Sequence, residues 1–139
     1  MKIIIGQKGN DRKMEKQKRE RKYKKRLYKK NKKFRLEYRY KAFLNRLCIA
    51  RKNNKVLKSK FFNDVGFTFF DFVEKFESTF NEKMNWGNYG EWHVDHTKPK
   101  SLFSYSSCKD LEFKCCWGLD NLAPLLKEEN LKKYNKVKL

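Results

Sequence analysis

The sequence predicts an α+β protein, and three observations carry that prediction. Apolar residues recur at helical spacing in two stretches: Leu36, Tyr40, Phe43, Leu44 and Leu47, then Phe69, Phe72, Val73, Phe76 and Phe80. Two short segments, near Trp92 to His96 and from Asn121 to Leu125, read as extended strands, and a helical pattern follows the second. The charge is also uneven. The 139 residues carry a net charge of +20, and residues 12–60 alone hold 23 Lys and Arg against 3 acids. Residues 61–139 hold 11 Lys against 12 acids. The expected organisation is therefore a basic arm over 1–60, partly disordered to helical, followed by a compact domain over 61–139.

Residues 10–33 are nearly all Lys, Arg, Glu, Gln and Asn, with Met14, Tyr23, Leu27 and Tyr28 as the large apolar groups. That is too little apolar surface to offset ordering, so this part is expected to be disordered or marginally helical when free. The absence of Gly and Pro there leaves a helix open once a polyanion neutralises the charge. Over 34–57 the apolar stripe predicts an amphipathic helix with Arg39, Lys41 and Arg46 largely off it. Its basic face is either simply solvated or laid along nucleic acid.

Thr68 with Asp71 three residues later has the form of a capping box, and the Phe-rich helix it opens should end near Asn81. The spacing of its aromatics favours a core face over a stacking platform. Residues 84–90 form a glycine-punctuated turn whose aromatics should anchor it to the core. In the next segment Trp92 and Val94 alternate with polar neighbours, and Pro99 stops the strand. Residues 100–120 show poor periodicity and read as a loop. A helix is expected over 126–134.

The four cysteines, Cys48, Cys108, Cys115 and Cys116, contain no Cys-x-x-Cys pair. They read as reduced thiols acting as small apolar groups, and no structural zinc is expected. No stretch approaches the roughly 20 apolar residues of a membrane span. The opening residues are too short in apolar content for an export signal, so an intracellular, membrane-free protein is expected. The abundance of Lys, Asn and Phe fits an AT-rich genome such as that of a virus, phage or organelle.

Both histidines lie in His93-Val94-Asp95-His96. A neutral imidazole is the usual general base near neutral pH, and a carboxylate is a hard oxygen ligand for Mg²⁺. Neighbouring strand residues point to opposite faces, so Asp95 and His96 would converge only where the strand ends or twists. An Asp-His pair alone is weak: it is satisfied structure more often than a catalyst.

The longer pattern is more specific. Asp95-His96-x-x-Pro99, Asn121-Leu122-x-Pro124-Leu125 and Glu129-Asn130-Leu131-Lys132-Lys133 together resemble the HNH endonuclease signature. The approach Met84-Asn85-Trp86-x-Asn88-Tyr89-Gly90-Glu91-Trp92-His93 is similar to a homing-type branch found in phages, large DNA viruses and organelles. The resemblance spans about residues 60–137 and implies a ββα-metal (His-Me) finger, preceded by helices and the basic arm. It implies that His96 is the general base and that Asp95 and Asn130 are ligands of Mg²⁺ or another divalent ion such as Mn²⁺. It further implies that Asn121 orients His96 or tethers its loop, and that the substrate is double-stranded DNA.

Trp92, His93 and Pro99 then read as structural residues, with His93 a lesser alternative as a third ligand because it shares strand parity with Asp95. Lys98 and Lys100 are either phosphate contacts or exposed strand-end residues, and Arg39 and Arg46 are candidate phosphate contacts. Lys133, three residues after Asn130 on one helix face, is either another such contact or a solvated surface lysine. The chain departs from the family pattern in having Thr97 and Lys98 after Asp-His, and in lacking the zinc-binding cysteine pairs of some members. A double-strand break would need a dimer or two successive events. The competing class is a basic DNA- or RNA-binding protein without catalysis, including one that keeps a degenerate HNH fold.

Overall fold

A computed structural model describes residues 4–137, with side chains over 8–133; the ends of the two expected regions, 1–3 and 138–139, lie outside it. The architecture is α+β: among the described residues, six α-helices surround one two-stranded antiparallel sheet. No helix among them is long and apolar enough to cross a membrane.

Helix α1 (Ile4–Lys30) is continuous and exposed almost throughout its described side chains, with Leu27 and Tyr28 half-buried. Its residues are good helix formers, which accounts for a helix that buries little. At Asn31 the chain turns (φ −110°, ψ 108°), and the Asn31 side chain accepts the Phe34 N–H at 3.1 Å, capping α2 (Lys32–Lys52). The junction is firmly built. Arg35 donates from Nε to the Tyr28 carbonyl and from Nη2 to the Lys29 carbonyl, both at 2.9 Å, satisfying groups that the end of α1 leaves unpaired. Tyr28 lies within cation–π range of Arg35 and Arg39, its hydroxyl accepts from Arg39 Nε at 3.0 Å, and Tyr38 meets it edge-on at 5.7 Å. Tyr38 is therefore a surface residue of this junction, whereas its neighbour Tyr40 is buried in the core.

The expected stripe on α2 holds: Tyr40, Phe43, Leu44 and Leu47 are buried, with Cys48 beside them. The helix stops at Lys52 rather than near 57, because Asn53 caps it and Asn54 takes a left-handed conformation (φ 57°). The boundary expected at residue 60 needs correction. The α2 side chains share one core with Phe72, Phe76, Trp92, Phe113, Trp117 and Leu122, so α2 belongs to the compact body and α1 alone stands outside it. The apolar stripe on α2 outweighs its basic composition in deciding where it goes.

Helix α3 (Phe61–Val65) ends at Gly66, whose φ of 78° favours glycine. Helix α4 (Phe69–Thr79) starts with the expected capping box: Thr68 and Asp71 exchange bonds of 2.9 and 3.0 Å. Phe72 and Phe76 are fully buried and stack at 4.1 Å. Asn85 and Asn88 then bond reciprocally around a 3₁₀ turn, Gly90 turns the chain at φ 116°, and Trp92 Nε1 donates to the Asn85 carbonyl at 2.7 Å. These bonds aim strand β1 (Trp92–His96) across the core.

Strand β2 (Leu122–Leu126) pairs with β1 in the register Trp92↔Leu126 through His96↔Leu122. Pro124 is tolerated because a two-stranded sheet consists only of edges. Helix α6 (Lys127–Val137) follows β2 without a loop, and its Lys127 N–H bonds the Glu91 carbonyl at 2.9 Å. The segment read as loop contains a further helix, α5 (Leu111–Trp117), which buries Phe113, Cys116 and Trp117. It spans only two turns, too few for periodicity to stand out. All four cysteines are free, Cys48 and Cys116 buried but Cys115 exposed rather than apolar filling.

Phe76→Ala should cost about 3–5 kcal/mol in urea unfolding. Phe70→Ala, on the same helix but 67% exposed, should change stability by less than about 0.5 kcal/mol. Equal losses would contradict this assignment of the buried face.

Candidate functional site

Strand alternation divides the sheet into two faces. Trp92, Val94 and His96, paired with Leu126, Pro124 and Leu122, face the core; His93 and Asp95, paired with Leu125 and Ala123, face the other way, toward α6. Asp95 and His96 are thus adjacent in sequence and on opposite faces.

His96 is half-buried, and its ring meets Trp117 edge-on at 4.5 Å. Its Nε2 is buried without any hydrogen-bond partner. Burial first, then the nearby cations Lys100 and Lys133, push its pKa down to about 3. The imidazole is therefore neutral at physiological pH, with a nitrogen lone pair or N–H that nothing in the protein uses. Buried polar atoms are seldom left in that condition.

Asp95 Oδ2 accepts from Lys133 Nζ at 2.7 Å, and the same ammonium reaches the His96 carbonyl at 3.3 Å. The structure shows Lys133 paired with Asp95, not standing as an unpaired surface lysine. It is an ion-pair partner, because α6 lies on the Asp95 face of the sheet. Asn130, one turn earlier on α6, lines a shallow depression with His93, Lys127 and Leu131. His93 also meets Tyr89 edge-on at 6.0 Å.

Asn121 takes one of its two expected roles. Its Oδ1 accepts the Lys98 N–H at 2.8 Å, and its Nδ2 donates to the carbonyls of Lys98 (3.1 Å) and Cys116 (2.9 Å). Its backbone carbonyl accepts the Thr97 N–H at 2.9 Å. Asn121 tethers the segment after His96 to the end of α5 and makes no hydrogen bond to His96 itself. Pro99 then caps a 3₁₀ turn over Lys100–Leu102. Lys33 of α2 secures that turn by donating to the carbonyls of Lys100 and Phe103.

The candidate phosphate contacts fall in different places. Lys98 and Lys100 flank the site, their ammonium groups 4.9 Å over the Phe103 ring and 6.0 Å over the Trp117 ring. Arg39 is engaged at the α1–α2 junction, and Arg46 lies over Phe61. A separate depression on α1 is lined by Lys22, Lys25, Arg26 and Lys29. Sequence reasoning missed Trp117 and Lys33. Neither carries a motif, and the one available signal for Trp117 was the Phe113, Cys116, Trp117 spacing after Asp110.

Among the described residues, no three His, Cys, Asp or Glu side chains converge on a point suited to a metal ion. The donors that Asp95 and Asn130 offer, a carboxylate and an amide oxygen, are nonetheless the hard type that Mg²⁺ or Mn²⁺ takes, and such ions commonly use few protein ligands. In chemistry the pair fits such an ion, with Lys133 already on one carboxylate oxygen.

Compared with known proteins, the chain matches no family model, no curated protein and no solved structure.

Because the folded state resists protonating His96, the unfolded chain binds the extra proton first as pH falls. Stability should therefore decline from about pH 6.5 toward pH 3, by up to about 1.4 kcal/mol per pH unit from this group. Denaturant unfolding of His96→Gln across that range should show a shallower acid limb. An unchanged slope would remove His96 as its source.

Proposed function

We propose that this chain is a metal-dependent endonuclease of the HNH type that hydrolyses double-stranded DNA. The observation that carries the reading is the strand–strand–helix unit of β1, β2 and α6. It carries Asp95 and His96 at one strand end on opposite faces, Asn121 just before the partner strand, and Asn130 on the helix. The residues that resemble the signature thus occupy linked elements with separate tasks.

Phosphodiester hydrolysis needs an activated water, relief of charge at phosphorus and help for a poor leaving group. His96 is the base. It is neutral, and its Nε2 is buried without a hydrogen-bond partner. A pKa near 3 makes a weak base; burial is its largest cause, and the cations Lys100 and Lys133 add to it. An incoming phosphate diester offsets those charges and raises the basicity of His96 as substrate arrives. On this reading catalysis requires the ring or the segment over 97–103 to shift, because the packing covers Nε2. Asn121 positions that segment, while Lys98 and Lys100 present cations to the phosphate. A divalent ion held by Asp95 and Asn130 would supply charge neutralisation at phosphorus and stabilisation of the departing 3′-oxygen.

Residues 61–139 carry almost no net charge, so affinity for DNA rests on the basic N-terminal helices. Helix α1, about 40 Å long at 1.5 Å per residue, places cations all round its axis and supplies sequence-independent affinity by counterion release. A second reading is favoured by two observations: Asp95 is paired with Lys133, and His96 Nε2 is sealed from solvent. On that reading the chain binds nucleic acid and cuts nothing.

The test is supercoiled plasmid incubated with Mg²⁺, with EDTA, and with Mg²⁺ plus His96→Ala. Metal-dependent nicking or linearisation, reduced at least about 100-fold in the variant, is expected. Cutting by His96→Ala at the wild-type rate would overturn the base assignment, and tight binding without cutting would favour the second reading.

Replacing Lys22, Lys25, Arg26 and Lys29 together by Gln should flatten the slope of log affinity against log salt by up to about 3–4 for duplex DNA. An unaltered slope would place the phosphate contacts elsewhere.

A further inference from the structure

We infer that Lys133 is the resident counter-cation of Asp95: its ammonium holds the carboxylate when no divalent ion is present and is displaced from it when one binds. The inference rests on the reading of Asp95 and Asn130 as a cation site and adds what governs its occupancy.

Three features support it. Lys133 Nζ sits 2.7 Å from Asp95 Oδ2 and is the hydrogen-bond donor to that carboxylate among the described residues. The Asp95 side chain is only 19% exposed and that of Lys133 38%, so this is not an open surface pair whose charges water would screen away. A half-buried carboxylate without a partner is costly, and the ammonium removes that cost in the ion-free protein. Finally, Lys133 and Asn130 stand one turn apart on the same face of α6. One helix therefore presents to the Asp95 face both an amide oxygen suited to a cation and a cation of its own.

An ammonium and a divalent ion cannot share one carboxylate at close range without strong repulsion. On this proposal the ion displaces the ammonium from the carboxylate. The freed ammonium stays tethered beside the His96 carbonyl, which it already reaches at 3.3 Å. There it is beside His96, within reach of a phosphate bound at this strand end. Lys133 is thus a positioning residue in the ion-free chain and becomes a phosphate contact only after displacement, which lowers affinity for the ion in the absence of DNA.

The test uses the full chain without DNA and Mn²⁺ alone as the probe, with free Mn²⁺ read by electron paramagnetic resonance. Wild type is compared with Lys133→Gln, Lys133→Arg, Lys132→Gln and Asp95→Asn. Lys132 is exposed and adjacent, so its variant removes the same charge without the pairing. Lys133→Gln should bind Mn²⁺ about tenfold more tightly than wild type, the scale of one charge-assisted hydrogen bond. Lys133→Arg and Lys132→Gln should stay within about twofold of wild type, and Asp95→Asn should lose the site.

Equal affinities for Lys133→Gln and Lys132→Gln, with binding lost in Asp95→Asn, would overturn the counter-cation role and leave the cation site standing. No Mn²⁺ binding by any variant, Lys133→Gln included, would overturn both.

Discussion

Strand alternation at Asp95 and His96 is the constraint from which the rest of the site follows. Two adjacent residues on a strand must leave it in opposite directions. One of them therefore packs inward and the other faces the covering helix. His96 goes toward the core, where Trp117 supports its ring and desolvation keeps it neutral. Asp95 goes toward α6, where Lys133 meets it. The neutral imidazole and the ion pair are thus separated across the thickness of a single strand, with the backbone between them.

That separation is useful only if the strand is rigid, and the rigidity is supplied from outside the sheet. A two-stranded pair is marginal on its own. Here it is held by Trp92, Leu122 and the aromatic cluster of Phe72 and Phe76 below it. At the His96 end, Asn121 spends its side-chain oxygen and both donor contacts on backbone groups, joining the segment after β1 to the end of α5. Lys33 reaches from α2 to the next turn of the same segment. The polar groups around the site are therefore largely committed to scaffolding, which makes the unpartnered Nε2 of His96 conspicuous in chemical terms.

The basic region has a comparable division of labour. Its charge is concentrated on two consecutive helices; α1 is exposed nearly all round, α2 only on the face away from the core. On α2 the apolar stripe enters the core, and Arg35 and Arg39 are used to fix the end of α1 around Tyr28. A cationic helix set at a defined joint holds its charges along one rod fixed at its C-terminal end. A flexible tail of the same composition would not.

Much of this was legible in the sequence. The α+β class, the Thr68–Asp71 cap, the buried faces of α2 and α4, and the two strands with a helix after the second follow from local periodicity and capping chemistry, which act over a few residues. The candidate residues Asp95, His96, Asn121 and Asn130 were also visible as a pattern. Helix α5 was not, because two turns carry too little periodicity, and the boundary at 60 followed charge where burial decided otherwise. The partners of the site residues lay beyond local reach as well. That Lys133 pairs with Asp95, that Trp117 supports His96, and that Asn121 binds Lys98 and Cys116 depend on strand register and helix packing between residues 5 to 38 positions apart. The sequence by itself determined which chemical groups were available and which local shapes they took. Only the tertiary structure decided which of them meet, because a contact across elements is set by the packing of the whole core.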